Sequence, residues 1–156
     1  MLKIISGGQT GVDRAALDMA IAHGIACGGW CPEGRRAEDG VIAEKYPIKV
    51  LAGGDYKART AQNVQDSDGT VIIYFGELSG GTEQTLNFCL HEGKPYLRIN
   101  GSEINAHIAA LRIRKFVACL PGETVNFAGP RESEAAQAYA YTAAVLIKYF
   151  DTGTVS

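Results

Sequence analysis

Short apolar runs alternate with amphipathic segments along almost the whole chain, and this alternation limits the fold more than any other feature. The clearest strand is Thr70–Phe75 (TVIIYF), which is β-branched and aromatic throughout. The clearest helix is Val12–His23, whose apolar residues recur at helical spacing before Gly24. Alternating strands and helices predict an α/β fold in which a mostly parallel sheet carries helices on both faces.

The remaining segments follow the same alternation. Strands are predicted at Leu2–Ile5, Ile25–Gly29, Ile48–Leu51, Pro95–Ile99 and Val125–Phe127. Helices are predicted at Tyr56–Gln65, Thr82–Glu92 and Ser102–Lys115. A last helix is expected to open at Gly129-Pro130 and to run to about Phe150. Residues 31–47 read as a polar, charged loop.

Length and charge narrow the class of protein. At 156 residues the chain fits a single domain, residues 1–156. Its 15 Lys plus Arg against 17 Asp plus Glu give a net charge of -2, which excludes a basic surface for duplex nucleic acid or anionic membrane. The chain has no run of 18 apolar residues, so we expect no membrane partner. The four cysteines suit reduced thiols, and we expect a cytoplasmic protein.

Glycine is the compositional outlier, at 19 of 156 residues or about 12%, against a usual value of about 7%. The first cluster lies between the first predicted strand and helix. Adjacent glycines let the backbone approach a ligand, and the helix N-terminus behind them favours an anion. The spacing matches neither G-x-G-x-x-G nor the phosphate-loop pattern. A tight turn without a ligand is the alternative. The candidate binding residues here are Ser6, Gly7, Gly8, Gln9, Thr10, Gly11, Asp13 and Arg14.

A second glycine pair follows the TVIIYF strand. Its candidate binding residues are Ser79, Gly80, Gly81 and Thr82. Two such turns at the ends of two parallel strands predict one cleft that holds a phosphate-bearing ligand between two helix N-termini. The alternative is that Thr82 only caps the helix, although capping and binding are compatible.

Other candidates surround these loops. Trp30 offers a stacking face, and Arg35 and Arg36 offer forks for phosphate or carboxylate, although a loop this polar is usually solvated. Arg59 and Asn63 share a helix face because they are four residues apart. Arg131 is expected at a helix start, with a simple helix entry or subunit contact as the alternative.

A metal site is not expected. His23, Cys27 and Cys31 are spaced by fours, which would align three ligands on one helix. Gly24, Gly28, Gly29 and Pro32 break any such helix. We predict no metal-binding residues.

Five ordered motifs resemble a known family. They are SGGQTGVDRAALD, GGWCPEGRRAEDG, YKARTAQNVQDSDGT, SGGT and NFAGPRES, from Ser6 to about Ser133. In this order they resemble the family named for molybdenum cofactor carriers, a branch of the Rossmann-like group that includes proteins once named lysine decarboxylases. The resemblance implies a Rossmann-like three-layer sandwich and a cleft at Ser6–Arg14 and Ser79–Thr82. It also implies a homo-oligomer, dimer or tetramer, that binds a phosphorylated pterin or nucleotide, with molybdenum cofactor (molybdopterin) as bound cargo.

The chain departs from the phosphoribohydrolases of that group. Their catalytic Glu has Thr85 at its matched position in this chain. Cleavage of an N-glycosidic bond needs a carboxylate, so we do not expect hydrolysis. A nucleotide-processing enzyme is the alternative, with Asp13, Glu83 or Asp68 as the acid. A nucleotide-sensing regulatory module is a further alternative.

The leading prediction is a binding or carrier protein for a phosphorylated heterocycle. The phosphate is expected on the backbone amides of Gly8–Gly11 and Gly81–Thr82. Arg14, Arg35 or Arg36 would neutralise its charge, with Trp30 near the ring. Gly8→Asp is expected to abolish binding and to leave the fold intact.

Overall fold

The computed structural model describes residues 1–152, and its centre is a five-stranded parallel sheet with helices packed on both faces. The fold is a Rossmann-like α/β sandwich, as the sequence predicted. In chain order the elements are β1 (Lys3–Ile5), α1 (Val12–Ala22), β2 (Ala26–Gly28), β3 (Trp30–Cys31), β4 (Arg36–Ala37), β5 (Gly40–Val41), β6 (Lys49–Val50), α2 (Tyr56–Asp66), β7 (Gly69–Tyr74), α3 (Gly80–Glu92), β8 (Tyr96–Asn100), α4 (Ala106–Ala118), β9 (Thr124–Ala128) and α5 (Ala138–Thr152).

The strand order places a crevice at the middle of the sheet. The order is β2-β1-β9-β7-β8, and every neighbouring pair is parallel. The chain leaves β1 toward one edge and β7 toward the other, and β9 fills the gap between them. Parallel sheets bind ligands beyond the carboxyl ends of the strands where the order reverses. The ends of β1, β9 and β7 are therefore the expected ligand site.

Alternation along β7 divides the core between the two faces. Val71 and Ile73 are fully buried on the face that α1, α4 and α5 cover. Ile72, between them, packs with Val64 and Cys89 under α2 and α3. Because successive strand side chains point to opposite faces, an apolar run such as TVIIYF fits a strand that is buried on both sides.

Residues 29–51 pack with Leu17 of α1 around a small second core, so the prediction of a polar loop at residues 31–47 is wrong. The buried members of this core are Leu17, Cys31, Ala37, Ile42, Tyr46 and Ile48. The predicted strand at Ile48–Leu51 is β6, which pairs with β3 outside the main sheet. β4 and β5 form an antiparallel hairpin. This unit packs against α1 through Leu17 and covers one side of the first glycine loop.

The last helix begins later than predicted. α5 begins at Ala138, not at Gly129-Pro130. Arg131–Glu134 forms a turn in which the Glu134 amide donates to the Arg131 carbonyl at 3.0 Å. The Glu132 amide donates instead to the Thr10 hydroxyl, which holds this segment across the first glycine loop.

The first residue of each helix depends on its N-cap residue, and the sequence did not identify the N-caps of α3 and α4. The Asn105 side chain accepts the Ile108 amide, so α4 begins at Ala106 rather than Ser102. Ser79, not Thr82, occupies the N-cap position of α3, and Thr82 lies inside the helix. Among residues 1–152, no helix has the length and apolar character needed to cross a membrane.

Gly11 has two reasons to be glycine, and this gives a test of the loop packing. Its φ of 80° and ψ of -128° suit only glycine, and a Cβ would lie 2.3 Å from the Pro130 carbonyl oxygen. Gly24 also has a positive φ, 67°, but its Cβ would meet nothing within 4 Å. We expect Gly24→Ala to lower the free energy of unfolding by about 1 kcal/mol. Gly11→Ala should lower it by about 2 to 4 kcal/mol. Urea unfolding measures both, and equal losses would contradict the packing described.

Candidate functional site

A cleft of about 520 Å³, open to solvent, lies beyond the carboxyl ends of β1, β9 and β7. We call it the main cleft. Residues of both glycine loops line it, Gln9 after β1 and Gly81 after β7. It is lined by Gln9, Asp13, Tyr56, Arg59, Thr60, Gly81, Thr82, Gln84, Thr85, Ala128, Gly129, Arg131 and Glu134.

The N-terminus of α3 presents free backbone amides to the main cleft. The Ser79 side chain makes no capping hydrogen bond. The first amide with a partner in the helix is that of Glu83, which donates to the Ser79 carbonyl at 3.2 Å. The amides of Gly80, Gly81 and Thr82 precede it and have no intrahelical acceptor. With the positive end of the helix dipole, they form a site suited to an anion.

The N-terminus of α1 differs, because the chain fills it with its own acceptors. The Gly8 amide donates to Ser6 Oγ at 3.4 Å, the Gln9 amide to Asp13 Oδ2 at 3.3 Å and the Thr10 amide to Gln9 Oε1 at 3.0 Å. Three of the amides expected to hold phosphate are therefore engaged. The carboxylate of Asp13 stands where an anion was expected.

Asp13 is a buried acid on the floor of the main cleft, with 4% of its surface exposed. Burial raises the pKa of its carboxyl to about 6, against the opposing effects of the Arg59 charge and the Gln9 amide. Arg59 Nη2 lies 3.9 Å from Asp13 Oδ2. Of the three acids considered for catalysis, Asp13 alone lines this cleft; Asp68 accepts the Thr124 amide.

Arg59 brings positive charge to the same floor. Its guanidinium packs on the Gly7 backbone, where a Cβ would lie 2.6 Å from Cζ. Arg59 Nη1 donates to the Thr60 hydroxyl at 2.6 Å. The buried Nε has no hydrogen-bond partner among the described residues. Gly7 is thus explained by the close approach of Arg59, and the unpaired Nε suits an anionic ligand.

Tyr56 is a cleft residue that the sequence analysis missed. It is 37% exposed and lies at the first position of α2. The guanidinium groups of Arg59 and Arg36 lie 5.6 and 5.9 Å from its ring centre. An aromatic ring in a polar cleft suits a planar heterocycle. The sequence signal was the N-cap Asp55, which places the following residue at a helix start.

Three candidate side chains are engaged away from the main cleft. Arg14 forms a two-pronged ion pair with Asp39 and donates to the Gly8 carbonyl. Arg35 donates to four backbone carbonyls of residues 42–48 and holds that segment together. Arg36 is exposed and reaches the cleft only through Tyr56. The structure does not place Arg14 or Arg35 in the lining of the main cleft.

Trp30 and Asn63 form a separate contact. Asn63 bonds both the amide and the carbonyl of Trp30, at 2.8 and 3.0 Å. The Trp30 indole N–H donates to Asp66 at 2.6 Å, and Lys49 lies over the ring. Trp30 lines a cavity with Lys3 and Lys49 that shares no residue with the main cleft.

Arg131 lies at the other wall of the cleft, in the segment that Thr10 holds through the Glu132 amide. The Thr10 hydroxyl and the Ser133 hydroxyl both donate to Glu38. Although partial desolvation opposes it, these bonds lower the pKa of Glu38. Arg131 lines the cleft and pairs with Glu134 at 3.2 Å. Of the arginines considered as binding residues, Arg59 and Arg131 line the main cleft.

The described residues form no cluster of candidate metal ligands. Within residues 1–152, no three His, Cys, Asp or Glu side chains come together in a way that could hold an ion. Cys27 lies in β2 and Cys31 in β3, while the His23 ring contacts Phe150.

Two comparisons find relatives of this chain. The model of the Circularly permutated YpsA SLOG family matches residues 4–150. A crystal structure of a "Putative molybdenum carrier protein" from Syntrophus aciditrophicus SB is 44% identical, with a TM-score of 0.93. The match covers 96% of this chain and 94% of that one. A comparison with curated proteins gives no match.

The burial of Asp13 predicts an unusual dependence of stability on pH. Its folded-state pKa of about 6 lies above the ordinary 3.8, so the folded protein binds the proton more tightly. This contribution is fully present below the ordinary value and is lost as the pH rises through 6. Relative to Asp13→Asn, the free energy of unfolding of the wild type should fall by about 2 to 3 kcal/mol between about pH 4 and pH 7.

Urea unfolding across that range measures the difference, with Asp39→Asn as the control. Hydrogen bonds from Arg14 lower the pKa of Asp39, so the difference between wild type and Asp39→Asn should rise with pH over the acidic range. A flat difference between wild type and Asp13→Asn would show that Asp13 titrates normally.

Proposed function

The chain belongs to the Circularly permutated YpsA SLOG family, and on that premise we propose that the protein binds or carries a phosphorylated heterocyclic ligand in the main cleft. The observation that supports this most is the uncapped start of α3. Its free amides face the same cleft as Arg59 and Arg131. Free amides at a helix N-terminus together with guanidinium groups are the usual protein partners of phosphate.

The phosphate position differs from the one first predicted. We place it on the amides of Gly80–Thr82 alone, because the amides of Gly8, Gln9 and Thr10 already donate within the chain. Asp13 supports this placement, since an ionised carboxylate at the α1 N-terminus repels a second anion there. Arg59 and Arg131, which both line the cleft, supply positive charge for the phosphate.

The ring of the ligand is assigned to Tyr56. Its exposed face lines the main cleft beside Gln84 and Thr60, whose side chains are polar. Stacking on an aromatic ring, with polar groups at the edge, is how proteins commonly hold planar heterocycles. This role replaces the one expected for Trp30, which lines a different cavity.

The 44%-identical protein is named a molybdenum carrier, and this name supports molybdenum cofactor as the proposed cargo. A phosphorylated pterin has the two parts that this cleft suits, a phosphate for α3 and a flat ring for Tyr56. Because residues 1–152 hold no cluster of metal ligands, such a cargo would be held through its organic part. A homo-oligomer and a cytoplasmic location stay predictions. Exposed apolar side chains on α4 and α5, such as Leu111 and Ile147, are consistent with an oligomer.

Gly81 provides the sharpest test of the phosphate position. A Cβ there meets nothing within 4 Å, and the residue has no positive φ. Gly81→Asp places a negative charge on the free amides, and an acidic residue in the first turn stabilises a helix. We expect it to lose bound ligand by about tenfold or more at unchanged stability. Gly81→Ala, the matched control, should keep the ligand.

The measurement is release of bound molecules by denaturing the purified proteins, with identification by mass spectrometry and metal analysis alongside. A phosphate-bearing heterocycle in wild type and Gly81→Ala, but not in Gly81→Asp, is the expected result. Equal occupancy in all three proteins would place the phosphate elsewhere. Gly8→Asp is not a suitable test of ligand binding, because it would also strain the fold. Gly8 has a φ of 77°, and a Cβ there would lie 2.9 Å from the Ile42 and Ile48 side chains. The structure therefore contradicts the expectation that this variant keeps an intact fold.

A further inference from the structure

The start of α3 lies between two cavities, not at the end of one. On the side away from the main cleft is a second cavity of about 370 Å³, which we call the side cavity. It is lined by Tyr74, Phe75, Glu77, Ser79, Pro130 and Ala135. Thr82 and Glu134 line both cavities, so the two join at the first turn of α3.

Thr82 marks the junction as a ligand position. Only 7% of its surface is exposed, and it faces both cavities. No hydrogen bond within residues 1–152 involves its hydroxyl, although the neighbouring Thr85 hydroxyl donates to the Gly81 carbonyl. Because the Thr82 hydroxyl has no partner among these residues and lies at the two cavities, water or a bound molecule there completes its hydrogen bonds.

The two cavities differ in chemistry. The main cleft presents the guanidinium groups of Arg59 and Arg131, which lie beside the carboxylates of Asp13 and Glu134. The side cavity presents the Glu77 carboxylate, the Ser79 hydroxyl and the Phe75 ring, and no Lys or Arg among residues 1–152 lines it. Carboxylates and hydroxyls accept hydrogen bonds from ligand hydroxyl groups, and a carboxylate without a neighbouring cation disfavours a second phosphate. The side cavity therefore suits a neutral group with several hydroxyls, such as a sugar.

We propose that the phosphate held at α3 is internal to the ligand, in a phosphodiester or diphosphate that carries its heterocycle into the main cleft and a sugar into the side cavity. This inference rests on the proposed function and narrows its ligand class. A terminal phosphate monoester would occupy the main cleft and the α3 amides, and it would leave the side cavity and half of the junction without contacts. A sugar linked to the phosphate would add contacts in the side cavity and at the junction.

Isothermal titration with GMP, GDP and GDP-mannose tests the inference. GDP and GDP-mannose differ only by the hexose, and guanine carries the same amino-oxo pyrimidine edge as a pterin. We expect wild-type protein to bind GDP-mannose about tenfold more tightly than GDP, a gain of about 1.4 kcal/mol from the sugar. Comparable affinities for the two would overturn the inference.

Glu77→Trp is the variant that fills the side cavity. Glu77 is exposed and its side chain makes no hydrogen bond or ion pair within the described chain, so the change should leave stability within about 0.5 kcal/mol. We expect it to lower GDP-mannose affinity to that of GDP, and to leave GMP and GDP affinities within about twofold of wild type. Glu103→Trp, an exposed site in the turn before α4, is the matched control and should keep the preference.

The outcomes separate this inference from the proposed function. A preference for GDP-mannose that survives Glu77→Trp would show that the sugar lies elsewhere and would overturn the inference. Binding of GMP and GDP without any gain from the hexose would do the same, while the α3 phosphate site would stand. If none of the three nucleotides binds, the inference is also overturned. The proposed function is then tested separately, by comparing the molecules released from wild type and from Gly81→Asp.

Discussion

The pairing of a buried carboxylate with the first glycine loop is the constraint on which the cleft depends. Asp13 accepts the Gln9 amide and lies near the Arg59 guanidinium, while Ser6 Oγ donates to the Asp13 carbonyl. Burying a carboxylate is costly unless hydrogen bonds and a cation offset the loss of water. These contacts fix the loop, the start of α1 and the position of α2 relative to one another.

This internal carboxylate makes the two glycine turns unequal. At α1 the Asp13 carboxylate accepts a loop amide. At α3 no side chain caps the first amides, and the nearby Glu134 carboxylate pairs with Arg131 instead. The turns look alike in sequence, yet one is a structural loop around Asp13 and the other is open to a ligand. Arg59 connects them, because its guanidinium packs on Gly7 and lines the cleft that Gly81 and Thr82 also line. This difference between the two helix N-termini favours binding of an anion at α3 over α1.

The sheet, its helices and the place of the cleft could be predicted from the sequence, because they depend on local periodicity. TVIIYF reads as a strand without tertiary information, and a glycine pair after such a strand falls at the ligand edge of a parallel sheet. Residues 29–51 could not be predicted in the same way. Their core relies on Arg35, which donates to carbonyls up to 13 positions later, and residue periodicity does not show such contacts.

Site residues were harder to predict for the same physical reason. Whether an arginine faces a ligand depends on which partner it reaches across the fold. Arg14 reaches Asp39, 25 positions away, and leaves the cleft. Tyr56 lines the cleft because α2 packs beside β9, a contact that brings together residues far apart in the chain. The late start of α5 likewise depends on Thr10, 122 positions before its partner Glu132.

The central claim is that the ligand anion lies at α3 and not at α1. A crystal structure of the protein soaked with GMP tests this directly, because phosphate is located by its density. We predict phosphate density within hydrogen-bond distance of the Gly81 and Thr82 amides, with Arg59 turned toward it and the Gln9 amide still bonded to Asp13. Phosphate on the amides of residues 8–11, with Asp13 displaced, would contradict it.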